Sequence, residues 1–136
     1  MKENIEQTLI ESSDVIKNSI LLSDIIEKCI QSIVDSLKNN KKIIIFGNGG
    51  SAADSQHIAA EMIGRFMLER KSIPAISLTT DSSIITSLSN DYSYDVIFSR
   101  QCESLVNSGD VVIGISTSGN SKNVENGLIT SKKMGA

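Results

Sequence analysis

The sequence lacks the features that mark several specialised classes of protein. It has only two cysteines among 136 residues. Cys29 and Cys102 lie in apolar helical patterns without the spacing of a metal cluster, so we expect both to be buried thiols in a reducing cytoplasm. No cluster of lysines and arginines stands out, and the formal net charge is −3. We therefore expect no nucleic-acid partner.

Long apolar segments are also missing. No apolar run approaches the length that spans a membrane, and the N-terminal residues MKENIEQTLIESSD lack the apolar core of a signal peptide. Internal repeats, linkers and low-complexity segments are absent as well. These observations predict a soluble cytoplasmic protein with no membrane partner. Its length suits a domain with a core of its own.

Short apolar runs alternate with helical patterns through most of the chain. Ile43–Phe46 is typical of a strand buried on both faces of a parallel sheet, and Ala75–Leu78 and Val111–Ile115 predict two further strands. This alternation predicts an α/β fold, a doubly wound, Rossmann-like parallel sheet flanked by helices, with ligands at the C-terminal ends of the strands. Residues 132–136 resemble a helix end that leads toward another strand, so we expect the sheet of this chain to be truncated at its C-terminus.

Two amphipathic helical patterns precede the first strand. The first runs from Asn4 to about Leu22, and the second starts with Ser23 or Asp24 as its cap and ends at Asn39. The pattern leaves open whether these helices cover the sheet or form an oligomer interface. We therefore expect an N-terminal helical segment at residues 1–40 and an α/β domain at residues 41–136.

A glycine-rich turn follows the first predicted strand. Gly47, Gly49 and Gly50 allow a tight turn and the close approach of another molecule, and Ser51 can cap the next helix, whose N-terminus is a natural anion site. The turn also fits the dinucleotide pattern G-x-G-x-x-A. However, the acidic residue expected about 20 residues later is not well placed, and there is no Walker lysine. A turn that only packs a strand on a helix stays open as an alternative.

A second polar loop and a pair of side chains complete the candidate chemistry. The loop Ser116–Ser121 offers four hydroxyl groups at a helix N-terminus, which suits a phosphate that must bind and leave, although an ordinary capped turn uses the same residues. His57, the only histidine, and Glu61 are four residues apart and share one helix face. Each alone is typical of a structural residue. Together they predict metal ligation or proton transfer, but two ligands do not close a metal site.

Four motifs occur in a fixed order along the chain: Gly47-Asn48-Gly49-Gly50-Ser51, His57-x-x-x-Glu61-x-x-Gly64-Arg65, Asn90-Asp91 and Ile115-Ser116-Thr117-Ser118-Gly119-Asn120-Ser121. Together they resemble the sugar isomerase (SIS) domain family, and within it the phosphoheptose isomerases. The resemblance implies conversion of sedoheptulose 7-phosphate to D-glycero-D-manno-heptose 7-phosphate, the first step toward the heptose of lipopolysaccharide. It also implies a cytoplasmic homotetramer, built through the N-terminal helices, with one zinc ion per subunit.

The resemblance assigns roles to individual residues. The implied substrate contacts are Asn48, Gly49, Gly50, Glu61, Asn90 and Asp91, with Ser116, Thr117, Ser118 and Ser121 around the phosphate. His57 and Glu61 are the implied zinc ligands, and Glu61 is the implied base that moves a proton through an enediol.

The sequence departs from the family pattern at its end. The family continues to a C-terminal helix whose Gln and His complete the zinc site, and this chain stops before them, so we expect the remaining ligands from that missing helix and doubt the activity of the 136 residues alone. A second interpretation is a regulatory SIS-domain protein that resembles the initiator-associating factor of DnaA. That relative lacks the Glu at the position of Glu61, so its presence here favours the enzyme.

Overall fold

The computed structural model describes residues 1–136, in which strands and helices alternate after two N-terminal helices. The helices are α1 (Lys2–Asn18), α2 (Ser23–Lys38), α3 (Gly50–Ile63), α4 (Ser82–Asp91), α5 (Ile97–Leu105) and α6 (Lys122–Lys133), with 3₁₀ turns at Ser19–Leu22 and Tyr94–Val96. The strands are β1 (Ile43–Gly47), β2 (Ala75–Ser77) and β3 (Val111–Ile115). None of these helices has the length and apolar character needed to cross a membrane.

The sheet is parallel and β1 is its central strand, in the order β2-β1-β3. Ile43 of β1 lies opposite Ala75 on one side and Val111 on the other. Every residue of β1 is buried, whereas the edge strand β3 is half-buried. The predicted α/β architecture, a parallel sheet flanked by helices, is therefore confirmed.

The main core lies on one face of β1. Ile44 and Phe46 join residues of α5 and α6 there, and the rings of Phe46 and Phe98 stack with centroids 4.7 Å apart. Gly127 of α6 allows this packing, because a Cβ at that position would lie 2.7 Å from Cζ of Phe46. Ile43 and Ile45 alternate with these residues along the strand, so they point to the opposite face, and both are fully buried.

Asp110 joins the N-terminal ends of β1 and β3. Its carboxylate accepts hydrogen bonds from the backbone N–H of Lys42 at 3.1 Å and of Asn107 at 2.8 Å, and it pairs with the Lys42 ammonium group. Burial by itself raises the pKa of the Asp110 carboxyl, but the hydrogen bonds from Lys42 and Asn107 outweigh it and hold the pKa below its usual value. Asp110 therefore carries a negative charge in a buried position that is well supplied with donors.

The chain forms two compact units, Met1–Val34 and Asp35–Ala136. In the first unit the backbone stays helical at Ser19 and Ser23, so α1 and α2 follow one another along the chain. Ser23 is therefore not the predicted cap, and its hydroxyl donates to the carbonyl of Ile20 instead. Cys29 is exposed, against our expectation, because two helices in succession offer no core to bury it, whereas Cys102 is buried as expected.

Residues 89–92 are polar and of types that favour a loop, yet they are largely helical, since α4 continues to Asp91. Asp81 caps its N-terminus by accepting from the Ile84 N–H at 2.9 Å, and the Ser89 hydroxyl donates to the carbonyl of Ile85 at 2.7 Å, so the polar side chain is satisfied within the helix. Asn90 and Asp91 therefore lie in the last turn of α4.

Candidate functional site

The loops that follow β1 and β3 share one edge of the sheet. The two strands are adjacent and parallel, with Gly47 opposite Ile115 at their last pair. The glycine loop, residues 47–50, leads into α3, and the serine loop, Ser116–Ser121, leads into α6. Both helix N-termini therefore stand at the C-terminal edge of the sheet, where parallel α/β folds bind their ligands.

The three glycines of the glycine loop differ in their backbone conformation and in the space around them. A Cβ at Gly47 would lie 2.8 Å from the carbonyl oxygen of Ile115, so this residue lets β1 and β3 end close together. Gly49 has a φ of +55°, which disfavours other residues. A Cβ at Gly50 would meet no atom within 4 Å. The space beside Gly50 is therefore open to a bound molecule.

The serine loop gathers its hydroxyl groups at the start of α6. Ser116 Oγ lies 3.0 Å from Ser121 Oγ and 3.5 Å from Ser118 Oγ, and Gly119 turns the chain with a φ of +69°. A cavity of about 260 Å³ adjoins Ser116, Gly119 and Ser121. The structure therefore brings together three of the four predicted phosphate-binding hydroxyls, while Thr117 lies exposed beside them.

Two asparagines join the two loops directly. The amide groups of Asn48 and Asn123 exchange hydrogen bonds of 2.8 and 2.9 Å, and the hydroxyl of Tyr94 donates to Oδ1 of Asn48 at 3.0 Å. Asn123 is buried in the first turn of α6. Sequence reasoning missed Asn123 and Tyr94, since an asparagine after a serine-rich turn and a tyrosine after a polar loop carry no signal of their own.

His57 and Glu61 lie on one face of α3, as predicted. Nε2 of His57 is 3.9 Å from Oε1 of Glu61, with the imidazole exposed and the carboxylate half-buried. Both side chains line a cavity of about 590 Å³, together with Arg65 and with the apolar side chains of Met62, Phe66, Met67 and Leu68. The cavity is therefore open to solvent, because Phe66, Met67 and Leu68 are themselves exposed.

The C-terminal end of α3 is held by Arg70. Its guanidinium donates to the carbonyl of Glu61 at 2.8 Å and to that of Met62 at 2.9 Å. These carbonyls have no partner within the helix, so Arg70 satisfies them and fixes the turn that carries Glu61. The pattern of the sequence did not indicate this contact.

The predicted metal site is not closed within this chain. No group of three or more His, Cys, Asp or Glu side chains comes together anywhere in residues 1–136. His57 and Glu61 are suitable in type and position to be two ligands of a metal ion, but a closed zinc site has four ligands. The residues present therefore provide part of a site and do not hold an ion by themselves.

Asn90 and Asp91 form a polar pair at the end of α4. Nδ2 of Asn90 donates to Oδ1 of Asp91 at 2.9 Å, and both residues are exposed. Tyr94 follows three residues after Asp91 and reaches Asn48 with its hydroxyl. This contact brings the segment after α4 to the edge of the sheet that carries the two loops.

Comparison with known proteins agrees with this arrangement. The SIS domain family matches residues 9–136. The phosphoheptose isomerase of Campylobacter concisus is 48% identical over 135 residues, which cover 99% of this chain and 71% of that protein. The chain belongs to the phosphoheptose isomerase family of SIS-domain proteins. The resemblance drawn from its four motifs is thereby confirmed.

Solved structures of the family have the same fold. Phosphoheptose isomerase GmhA from Neisseria gonorrhoeae superimposes with a TM-score of 0.90 and 38% identity, over 98% of this chain and 70% of that one. A phosphoheptose isomerase from Francisella tularensis gives a TM-score of 0.77 with 29% identity. These relatives do not favour the regulatory alternative that resembles the DnaA-associating factor.

Other phosphoheptose isomerases are more similar over a shorter stretch. The Geobacter sulfurreducens protein is 56% identical over 103 residues, which cover 76% of this chain and 54% of that protein. The chain thus spans about half the length of that relative. The roles assigned above to Asn48, Glu61 and the serine loop stay predictions, because family membership and fold do not test individual residues.

Proposed function

We propose that this protein is an isomerase that converts sedoheptulose 7-phosphate to D-glycero-D-manno-heptose 7-phosphate. The observation that carries the proposal is the meeting of the glycine loop and the serine loop at one edge of the sheet, in a chain of the phosphoheptose isomerase family. A sugar phosphate needs a place for its phosphate and a base near its carbonyl end. We propose that the serine loop offers the first function and that Glu61, which lines a separate cavity at the C-terminal end of α3, offers the second.

The serine loop is suited to the phosphate. Ser116 presents a neutral hydroxyl donor, with the hydroxyl of Ser121 at 3.0 Å and that of Ser118 at 3.5 Å from it. The N-terminus of α6 adds backbone N–H groups and the positive end of the helix dipole. No lysine or arginine lines the cavity beside these hydroxyls, and Lys122, next to Ser121, is paired with Glu125. We therefore expect the dianion to bind with moderate strength, which allows the product to leave.

Glu61 is suited to move the proton. In the reaction the C1–H bond breaks and the carboxylate takes that proton, while the oxygen on C2 gains a proton, so that an enediol forms across C1 and C2. The same carboxyl group then returns its proton to C2, and the hydroxyl on C1 loses its proton, so that the carbonyl group is left at C1 and one hydroxyl proton has passed from O1 to O2 overall. His57 lies one turn earlier on α3, and its Nε2 is 3.9 Å from Oε1 of Glu61.

The remaining parts of the proposal come from the family resemblance. We propose that His57 and Glu61 are two ligands of one zinc ion per subunit and that the other ligands come from a later helix, as they do in the family. When bound, such an ion stabilises a developing oxyanion. A homotetramer formed through the N-terminal helices, a cytoplasmic location and a place in the synthesis of lipopolysaccharide heptose belong to the same proposal.

The test is turnover of sedoheptulose 7-phosphate by the protein expressed from its native gene, followed by the formation of the aldose product. We expect turnover by the unaltered protein, and a loss of about 10²–10⁴-fold in Glu61→Gln with substrate binding retained. Glu103→Gln, an exposed carboxylate on α5, is the matched control and should keep its rate. Absence of turnover, or an unchanged rate in Glu61→Gln, would contradict the proposal.

A further inference from the structure

The amide pair of Asn48 and Asn123 has a defined orientation. The backbone N–H of Val124 donates to Oδ1 of Asn123 at 2.9 Å. A backbone N–H can only donate, so this contact identifies which side-chain atom of Asn123 is the oxygen. Nδ2 of Asn48 must then face that oxygen, and Oδ1 of Asn48 must face Nδ2 of Asn123. The backbone of α6 therefore sets the orientation of a side chain in the loop after β1.

Tyr94 completes the set of partners around Asn48. Its hydroxyl donates to Oδ1 of Asn48 at 3.0 Å, and Nδ2 of Asn123 donates to the same oxygen. A carbonyl oxygen has two lone pairs, so both acceptor positions of Asn48 are in use. One N–H of its amide is donated to Asn123. The polar capacity that remains to Asn48 is a single N–H donor.

We infer that Asn123 and Tyr94 are positioning residues, which hold the amide of Asn48 so that it offers one N–H donor, and no acceptor, to the sugar portion of the substrate. This inference rests on the proposed function for the identity of the ligand. The group recognised is a hydroxyl or carbonyl oxygen of the sugar chain, because the serine loop is the phosphate site. Burial of Asn123 keeps water from competing for the amide.

The test combines a double-mutant cycle with two ligands. Dissociation constants for sedoheptulose 7-phosphate and for inorganic phosphate are measured by calorimetry for the unaltered chain, Asn48→Ala, Asn123→Ala and the double variant. We expect Asn123→Ala to weaken sugar-phosphate binding about tenfold and to change it by less than about twofold when Asn48 is already Ala. Inorganic phosphate should bind all four proteins equally. Asn39→Ala, the same change at an exposed asparagine that follows α2, is the control.

Tyr94→Phe is the second variant, because Tyr94 is exposed and we expect the fold to tolerate the loss of its one hydroxyl. We expect about threefold weaker binding of sedoheptulose 7-phosphate. Tyr92→Phe removes the same atom from a tyrosine whose ring lies over Arg100, and it should have no effect. In ¹H–¹⁵N spectra the side-chain amide signals of Asn48 should move in Tyr94→Phe and stay in place in Tyr92→Phe.

The outcomes separate this inference from the proposed function. If the unaltered chain does not bind sedoheptulose 7-phosphate, the proposed function is wrong, and the amide spectra alone decide whether Tyr94 holds Asn48. An Asn123→Ala effect that persists in the Asn48→Ala background would overturn the positioning role. Equal weakening of inorganic phosphate would also overturn it, because the role would then be structural support of both loops.

Discussion

Ile43, Ile44 and Ile45 of the α/β unit are completely buried, whereas Ile16 and Ile20 of the N-terminal helical unit are 74% and 70% exposed. In the strand the isoleucines form a continuous run, and on α1 the apolar residues recur with helical spacing. A strand between two neighbours has partners within its own unit, but a helix that only continues into another helix has none. Periodicity therefore predicts which face of an element is apolar, and the topology decides whether that face is buried.

The chemistry follows the same division. All the predicted site residues lie in the α/β unit, in the two loops, on α3 and at the end of α4. The helical unit contributes no predicted site residue, and its exposed apolar side chains include Leu9 and Leu21. We therefore expect substitutions in the two units to have different effects. Those in the α/β unit should change stability or ligand binding, and those in the helical unit should change neither in the isolated chain.

The largest difference should come from a matched pair of isoleucines. Ile44→Ala removes a fully buried side chain from the core, and we expect it to lower the free energy of unfolding by about 2–5 kcal/mol. Ile16→Ala makes the same change on α1 and should cost less than about 0.5 kcal/mol. Urea unfolding monitored by circular dichroism measures both. Equal effects in the two variants would show that the helical unit is buried as well as the core.

Removal of the Asp110 carboxylate should have the next largest effect. Asp110→Asn leaves the Lys42 ammonium without its ion pair, and we expect a loss of about 2 kcal/mol at pH 7. Asp14→Asn, on the exposed surface of α1, is the control and should be neutral.

The same carboxylate predicts a pH dependence. The pKa of the Asp110 carboxyl is lower in the folded than in the unfolded chain. Its contribution to stability is therefore complete above the pKa of the unfolded chain, about 3.9, and is lost as the pH falls through the pKa of the folded chain. The free energy of unfolding, measured between pH 7 and pH 2, should therefore fall less steeply in Asp110→Asn than in the unaltered chain. A parallel decline in both proteins would contradict this role of Asp110.

Substitution of two glycines should distinguish effects on stability from effects on ligand binding within the α/β unit. Gly47→Ala places a methyl group 2.8 Å from the Ile115 carbonyl, and we expect it to lower stability by about 1–3 kcal/mol. Gly50→Ala meets no atom and should be neutral or slightly stabilising, yet it should weaken binding of sedoheptulose 7-phosphate by filling the open space. Thermal unfolding and calorimetric binding distinguish the two. Unchanged ligand binding in Gly50→Ala would show that this space is not part of the site.

The two thiols should differ in their reactivity toward a thiol reagent while the fold stays intact. Burial raises the pKa of the Cys102 thiol and also shields it from reagents. Cys29 is exposed on α2. We expect Ellman's reagent to modify one thiol rapidly in the folded chain and the second only in denaturant, with Cys29→Ser abolishing the rapid phase. A rapid phase that survives in Cys29→Ser would show that Cys102 is accessible.

The sequence predicted the parts of the fold that depend on local pattern. The strand at Ile43–Phe46, the glycine loop and the hydroxyls of Ser116–Ser121 follow from short runs of residues, and the common face of His57 and Glu61 follows from helical spacing. It did not predict the exposure of Cys29 or the helical end of α4, because both depend on what lies next to the element.

The contacts between distant segments were the hardest to foresee. Asn123 meets Asn48 across 75 positions, and Tyr94 meets it across 46. The residues next to Asn123 and Tyr94 in the sequence give no sign of these contacts. Only the pairing of β1 with β3 brings Asn123 and Asn48 together. The residues that could be named from sequence are those that resemble a motif, and the residues that orient them required the fold.

The central claim is that the edge where β1 and β3 end binds a sugar phosphate. A ¹H–¹⁵N titration of the chain with sedoheptulose 7-phosphate, and in parallel with unphosphorylated sedoheptulose, tests it most directly. We predict that the sugar phosphate shifts the amide signals of residues 49–51 and 116–121 and that sedoheptulose shifts them far less. Shifts confined to other residues, or equal shifts with both sugars, would contradict the account.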